Sequence, residues 1–94
     1  MKPNPVVNYA ISPHAAFEMK RRGLSEETVR AVLAAPEQRL EVGPGRMVLQ
    51  SRLAMDVPQR TYLVRVFVDV DRQPPEVVTV YRTSKVSKYW GEQR

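Results

Sequence analysis

Between Tyr81 and Trp90 three cations, Arg82, Lys85 and Lys88, are interleaved with three aromatic side chains, Tyr81, Tyr89 and Trp90. Cations meet phosphates and flat rings stack on bases, so this mixture suits a single-stranded nucleic acid. The same residues allow a second use: an amphipathic latch that packs Tyr89 and Trp90 onto the domain while its lysines stay in water. The two uses are compatible, because a docked segment still presents its cations.

Breaking an RNA strand without a metal requires three things. The 2′-hydroxyl must be activated, the charge on the phosphorane stabilised, and the leaving 5′-oxygen protonated. Arginine serves the second need, while histidine, tyrosine, glutamate or a perturbed lysine serves the others. Arg65, Tyr81, Arg82 and His14 are the candidate catalytic residues. Arg65 and Arg82 would hold the scissile phosphate, and Tyr81 or His14 would move protons. Lys85, Lys88, Tyr89, Trp90, Arg46 and Arg52 are candidates for docking the strand. His14 and Glu18 lie one helical turn apart, which allows either acid–base work or ordinary structural roles, with Glu18 ion-paired to Arg22. There is no phosphate-binding glycine loop, nucleophile elbow or two-histidine motif. With one histidine and no cysteine, no metal site or cofactor is expected.

The elements that would position these groups change period midway. Residues 1–11 read as an extended lead-in, able to pair through Val6 to Ile11. Ser12-Pro13 is a helix start, with Ser12 as N-cap, and Gly23 ends that helix after Arg22. Ser25 caps a second helix whose apolar set is Val29, Val32 and Leu33, and Pro36 closes it. From there the period is two. Strands are predicted over Arg39–Val42, Arg46–Leu53, Thr61–Val70 and Glu76–Thr83, joined by short turns that imply an antiparallel meander. Alternation puts Tyr62, Val64, Val66 and Val68 on one face and Arg65 on the other. The far face then gathers Arg46, Gln50, Arg52, Arg65, Thr79 and Tyr81, either as a polyanion surface or as a solvated outer face. The predicted fold is α+β: two N-terminal helices packed on one face of a three- to four-stranded antiparallel sheet, with a short basic C-terminal segment.

Ninety-four residues make a single domain. The net charge of +5 favours an acidic partner, whether nucleic acid or protein. No apolar run is long enough to span a bilayer and the N-terminus lacks an apolar leader, so the expected compartment is the cytoplasm, with no membrane partner. An exposed edge at Arg39–Val42 would allow a homodimer.

The residues His14-Ala15, Met19, Arg22-Gly23-Leu24-Ser25, Val29, Leu33 and Pro36, together with Tyr81-Arg82-Thr83-Ser84-Lys85 and Lys88-Tyr89-Trp90, resemble a widespread bacterial domain family. That family is similar to BrnT toxins and more remotely to the RelE/ParE toxin superfamily. The resemblance spans Tyr9 to Trp90. It implies a toxin of a toxin–antitoxin pair, a ribonuclease acting on mRNA and restrained by a small antitoxin protein, with participation of the ribosome left open. By position it carries Arg65, Tyr81, Arg82 and Lys85 into the catalytic roles. The ParE branch, which targets gyrase, shows that the fold does not fix the activity. The alternative is a non-catalytic basic module that binds nucleic acid or an acidic protein.

Overall fold

The computed structural model describes residues 4–91. Two short helices and four of the five strands follow from their local signals. A two-residue strand β1 (Ala10–Ile11) leads directly into helix α1 (Pro13–Arg21). The Ser12 hydroxyl accepts the Ala15 N–H at 3.0 Å, and Pro13 at the first position costs no hydrogen bond. Gly23, at φ +66°, turns the chain after α1, a conformation that glycine adopts without strain. Ser25 then caps α2 (Glu26–Ala34), accepting the Thr28 N–H at 3.1 Å, while Glu26 and Glu27 sit at the positive end of the helix dipole. Strands β2 (Gln38–Gly43), β3 (Arg46–Met55), β4 (Arg60–Asp69) and β5 (Glu76–Thr83) follow, and a single helical turn, α3 (Val86–Tyr89), comes last.

The strands form one sheet in the order β1-β5-β4-β3-β2. Its last four members are antiparallel neighbours, whereas β1 lies parallel to β5, with Ala10 beside Glu76 and Ile11 beside Val77. The class is α+β, but the expected arrangement is overturned. The sheet has five strands and is mixed, its first strand precedes the helices, and the helices are no more than nine residues long. The physical reason is the hydrogen bonding of the lead-in. Ala10 N–H donates to Pro75 C=O at 2.9 Å and Ser12 N–H to Val77 C=O at 3.0 Å. These satisfy backbone groups along β5 that an outermost strand would leave to water.

One face of the sheet carries Leu49, Val64, Val66, Val68 and Val80, all buried with Ala15 and Met19 of α1 and Val29, Val32 and Leu33 of α2. Each large side chain there contributes about 1.5–3 kcal/mol on leaving water. The opposite face is also covered over part of its area. Val48, Gln50 and Leu63 are fully buried on it. The chain from α3 to Gly91 folds back there, with Tyr89 C=O accepting from Gln50 and Gly91 N–H donating to Gln38. The latch reading of the C-terminal stretch is therefore realised in the structure. Among the described residues, no helix is long and apolar enough to cross a membrane.

Candidate nucleic-acid interface

The far face is organised around Gln50, a fully buried polar side chain at the middle of β3. Its Nε2 donates to Gln38 Oε1 at 2.8 Å and to Tyr89 C=O at 3.2 Å. Its Oε1 accepts from Arg65 Nε at 2.8 Å. Arg65, paired in register with Gln50 on one side and Tyr81 on the other, also donates through Nη1 to the Tyr81 hydroxyl at 2.7 Å. That hydroxyl donates to no partner among the described residues, so its hydrogen can serve another acceptor.

Aromatic rings enclose this pair. Phe67 stacks on Tyr81 with centroids 6.1 Å apart, and Tyr89 meets Tyr81 edge-on at 6.0 Å. The Arg65 guanidinium carbon lies 4.7 Å from the Tyr89 centroid, 5.2 Å from Phe67 and 5.6 Å from Tyr81. Arg65 thus rests on ring faces and neutral oxygens. Among the described residues no carboxylate pairs with it, which sets it apart from the other arginines of this face.

Arg46 grips Asp69 through two bonds, at 2.6 and 3.1 Å. These bonds hold the Asp69 carboxyl below its ordinary value and raise Arg46. Arg52 makes a forked contact with Glu37, at 3.0 Å to each oxygen, and lies 4.3 Å from the Trp90 ring centroid. The hydrogen bond from the Arg52 side chain, more than any other cause, keeps Glu37 low. Both arginines are engaged in holding strands and the tail, and Arg46 stands at the turn end of the sheet.

The other expected residues separate. Tyr81 and Arg65 come together. Arg82 lies on the opposite, helix-bearing face, as its neighbour position to Tyr81 in β5 requires. There it bonds Asp56 at 3.0 Å and covers the Tyr62 ring at 4.7 Å. Asp56 is held low first by that bond and then by the Tyr62 hydroxyl. His14 is exposed in the first turn of α1, and no hydrogen bond, ion pair or ring contact ties it to the Arg65–Tyr81 pair among the described residues. Glu18 is bonded to Arg21 and Arg22. Lys85 and Lys88 are exposed on the tail, with Lys88 Nζ 5.4 Å from the Tyr89 centroid. An open cleft lined by Leu40, Val42, Lys88, Tyr89 and Trp90 borders the tail on the β2 side. No group of three or more potential metal ligands occurs among the described residues.

Sequence reasoning placed Gln50 on this face without seeing that it orients Arg65. The signal was available: an amide between Val48 and Arg52 on one face of a strand. It also missed Arg22, whose guanidinium carbon lies 5.7 Å from the Tyr81 centroid.

Residues 11–82 match the family described as a domain of unknown function, DUF4258, and the chain belongs to that family. The match takes in α1, α2, β2, β3 and β4, with β1 from Ile11 and β5 as far as Arg82, and so includes the Arg65–Tyr81 pair. It stops before Lys85, so the basic–aromatic tail lies outside the matched segment. No curated protein and no solved structure gives a significant match.

Proposed function

We propose that this protein is a toxin-like, metal-independent ribonuclease that binds a single RNA strand across the far face of its sheet, restrained in its host by a small antitoxin. The observation that carries this reading is the Arg65–Tyr81 pair: a half-buried cation bonded to a hydroxyl, with neither a carboxylate on the cation nor an acceptor for the hydroxyl hydrogen among the described residues. The resemblance to BrnT and RelE/ParE toxins supports it at the same residues. The +5 net charge and the exposed lysines of the tail favour a polyanion.

The chemistry follows from the atoms present. The 2′-oxygen forms a bond to phosphorus as the bond from phosphorus to the 5′-oxygen breaks, leaving a cyclic phosphate and a free 5′-hydroxyl. Water takes the 2′ proton. Arg65 faces the charge that gathers on the phosphoryl oxygens, and Tyr81 gives its hydrogen to the leaving 5′-oxygen. The Tyr81 oxygen, still facing the Arg65 guanidinium, then regains a proton from solvent.

Controlled expression with growth and mRNA integrity as readouts tests the proposal. Growth arrest with new mRNA ends, relieved by Arg65→Ala and by Tyr81→Phe, is expected. Intact mRNA at full growth, with the folded protein present, would refute the ribonuclease. Strand binding without cleavage would point to the non-catalytic module.

A further inference from the structure

Building on that reading, we infer that Arg22 is a second phosphate-binding group of the same surface, held in place by Glu18, so that the backbone of one strand meets both Arg65 and Arg22. Arg22 belongs to the end of α1, yet it reaches the ring at the heart of the far face. The route is open because β1 pairs only with Glu76 and Val77, leaving the side of β5 near Tyr81 without a neighbouring strand among the described residues. Ser12 stitches the start of α1 to β5, donating through its hydroxyl to Val78 C=O at 3.4 Å. The helix then runs along this edge, and its last turn delivers Arg22 beside Tyr81.

Glu18 fixes the delivery. Its side chain is only 10% exposed, and its Oε1 accepts from Arg22 Nε at 2.8 Å and from Arg21 Nη2 at 3.2 Å. The bond to Nε leaves both terminal nitrogens of Arg22 without another hydrogen bond among the described residues. Arg65 is placed in the same way: Nε and Nη1 are spent on Gln50 and Tyr81, and Nη2 is left over. Each guanidinium is therefore oriented by its own scaffold and keeps donors for a ligand. Both lie within 5.7 Å of one ring centroid, so their central carbons are at most about 11 Å apart. A strand crossing the Tyr81 ring can therefore engage both. Arg21, more than half exposed on the same carboxylate, is the natural control.

The test is binding of a labelled single-stranded RNA of about ten nucleotides, within the usual site size for such surfaces, measured over a range of salt. Arg22→Ala is expected to weaken binding about tenfold and to lower the salt slope by about 0.7, the share of one phosphate contact on a single strand. Arg22→Lys should recover the slope and only part of the affinity. Glu18→Gln should weaken binding in the parent protein and have no further effect beside Arg22→Ala, as befits a residue that acts through Arg22. Arg21→Ala should leave binding within twofold of the parent. Should Arg22→Ala lower the melting temperature, Arg22→Gln, which keeps the aliphatic stem, carries the same expectation. Parent-like affinity and slope in a folded Arg22 variant, while Arg65→Ala loses binding, would reduce Arg22 to a helix ion pair and leave the functional reading standing. Failure of the parent protein itself to bind RNA would overturn both.

Discussion

Replacing Gln50 by leucine should unfasten the far face at its centre. The side chain makes three hydrogen bonds in a fully buried position. The one from Arg65 is charge-assisted and contributes about 1.5–3 kcal/mol, and the two donated by Nε2 about 0.5–1.5 kcal/mol each. Leucine has similar bulk and gains roughly 1–2 kcal/mol from burial, which offsets part of the loss. Gln38 Oε1 keeps the Gly91 N–H, so that acceptor is not orphaned. Tyr89 C=O and Arg65 Nε do lose their partner. The net expectation is a destabilisation of about 2 kcal/mol, or roughly 10 °C in melting temperature for a domain of this size. Urea denaturation reads it as a lower midpoint with an unchanged slope, since the exposed area on unfolding is the same. A change below about 0.5 kcal/mol would refute the reasoning, because it would mean that the amide network adds nothing over an apolar plug.

Two other expectations concern the charges around this centre. The carboxyls of Asp69 and Glu37 are held below their ordinary values by the bonds from Arg46 and Arg52. Their stabilising effect is therefore complete above the unfolded values, near 3.8 and 4.5, and drains away as pH falls through the lower folded ones. Melting temperature should stay level from pH 7 to about 5 and fall below about 4, and Asp69→Asn should flatten that fall. An identical acid slope in the variant would remove Asp69 from the account. Arg82→Ala should lower thermal stability slightly through loss of its contacts with Asp56 and Tyr62, while RNA affinity stays within twofold. A loss of affinity matching that of Arg65→Ala would show that the helix-bearing face takes part in binding.

Much of the local structure was legible because it depends on neighbours in sequence. Ser12-Pro13 and Ser25-Glu26-Glu27 start helices by satisfying the first backbone donors, and β5 runs from Glu76 to Thr83 as the Pro74-Pro75 break and the alternation require. Alternation also put Arg65 and Tyr81 on one face and Arg82 on the other. What escaped depends on contacts distant in sequence. A two-residue strand has no period to detect, so the lead-in read only as able to pair through Val6 to Ile11, and neither the parallel sense of β1 nor the mixed sheet followed. The Val86, Tyr89 and Trp90 side of the tail reads equally as a ligand surface or a latch, and only its seat over Gln50 decides that it docks. The position of Arg22 follows from how α1 lies along the edge of β5, which no spacing within the helix reports.

The parallel pairing of β1 with β5 has a consequence for the order in which the molecule assembles. Ser12 bonds Val77 and Val78, partners more than sixty residues later in the chain. During synthesis α1 emerges early, but Ala15 and Met19 have no β5 to lie against until almost the whole domain has been made. The β2–β3 and β3–β4 hairpins can close across their short turns, while the first helix waits for the last strand. A chain stopped anywhere before Glu76 would thus lack the groove for its own first helix and would have no Tyr81 to set beside Arg65. The surface is complete only once β5 is in place, so a partner that recognises the finished sheet would meet no half-built competitor.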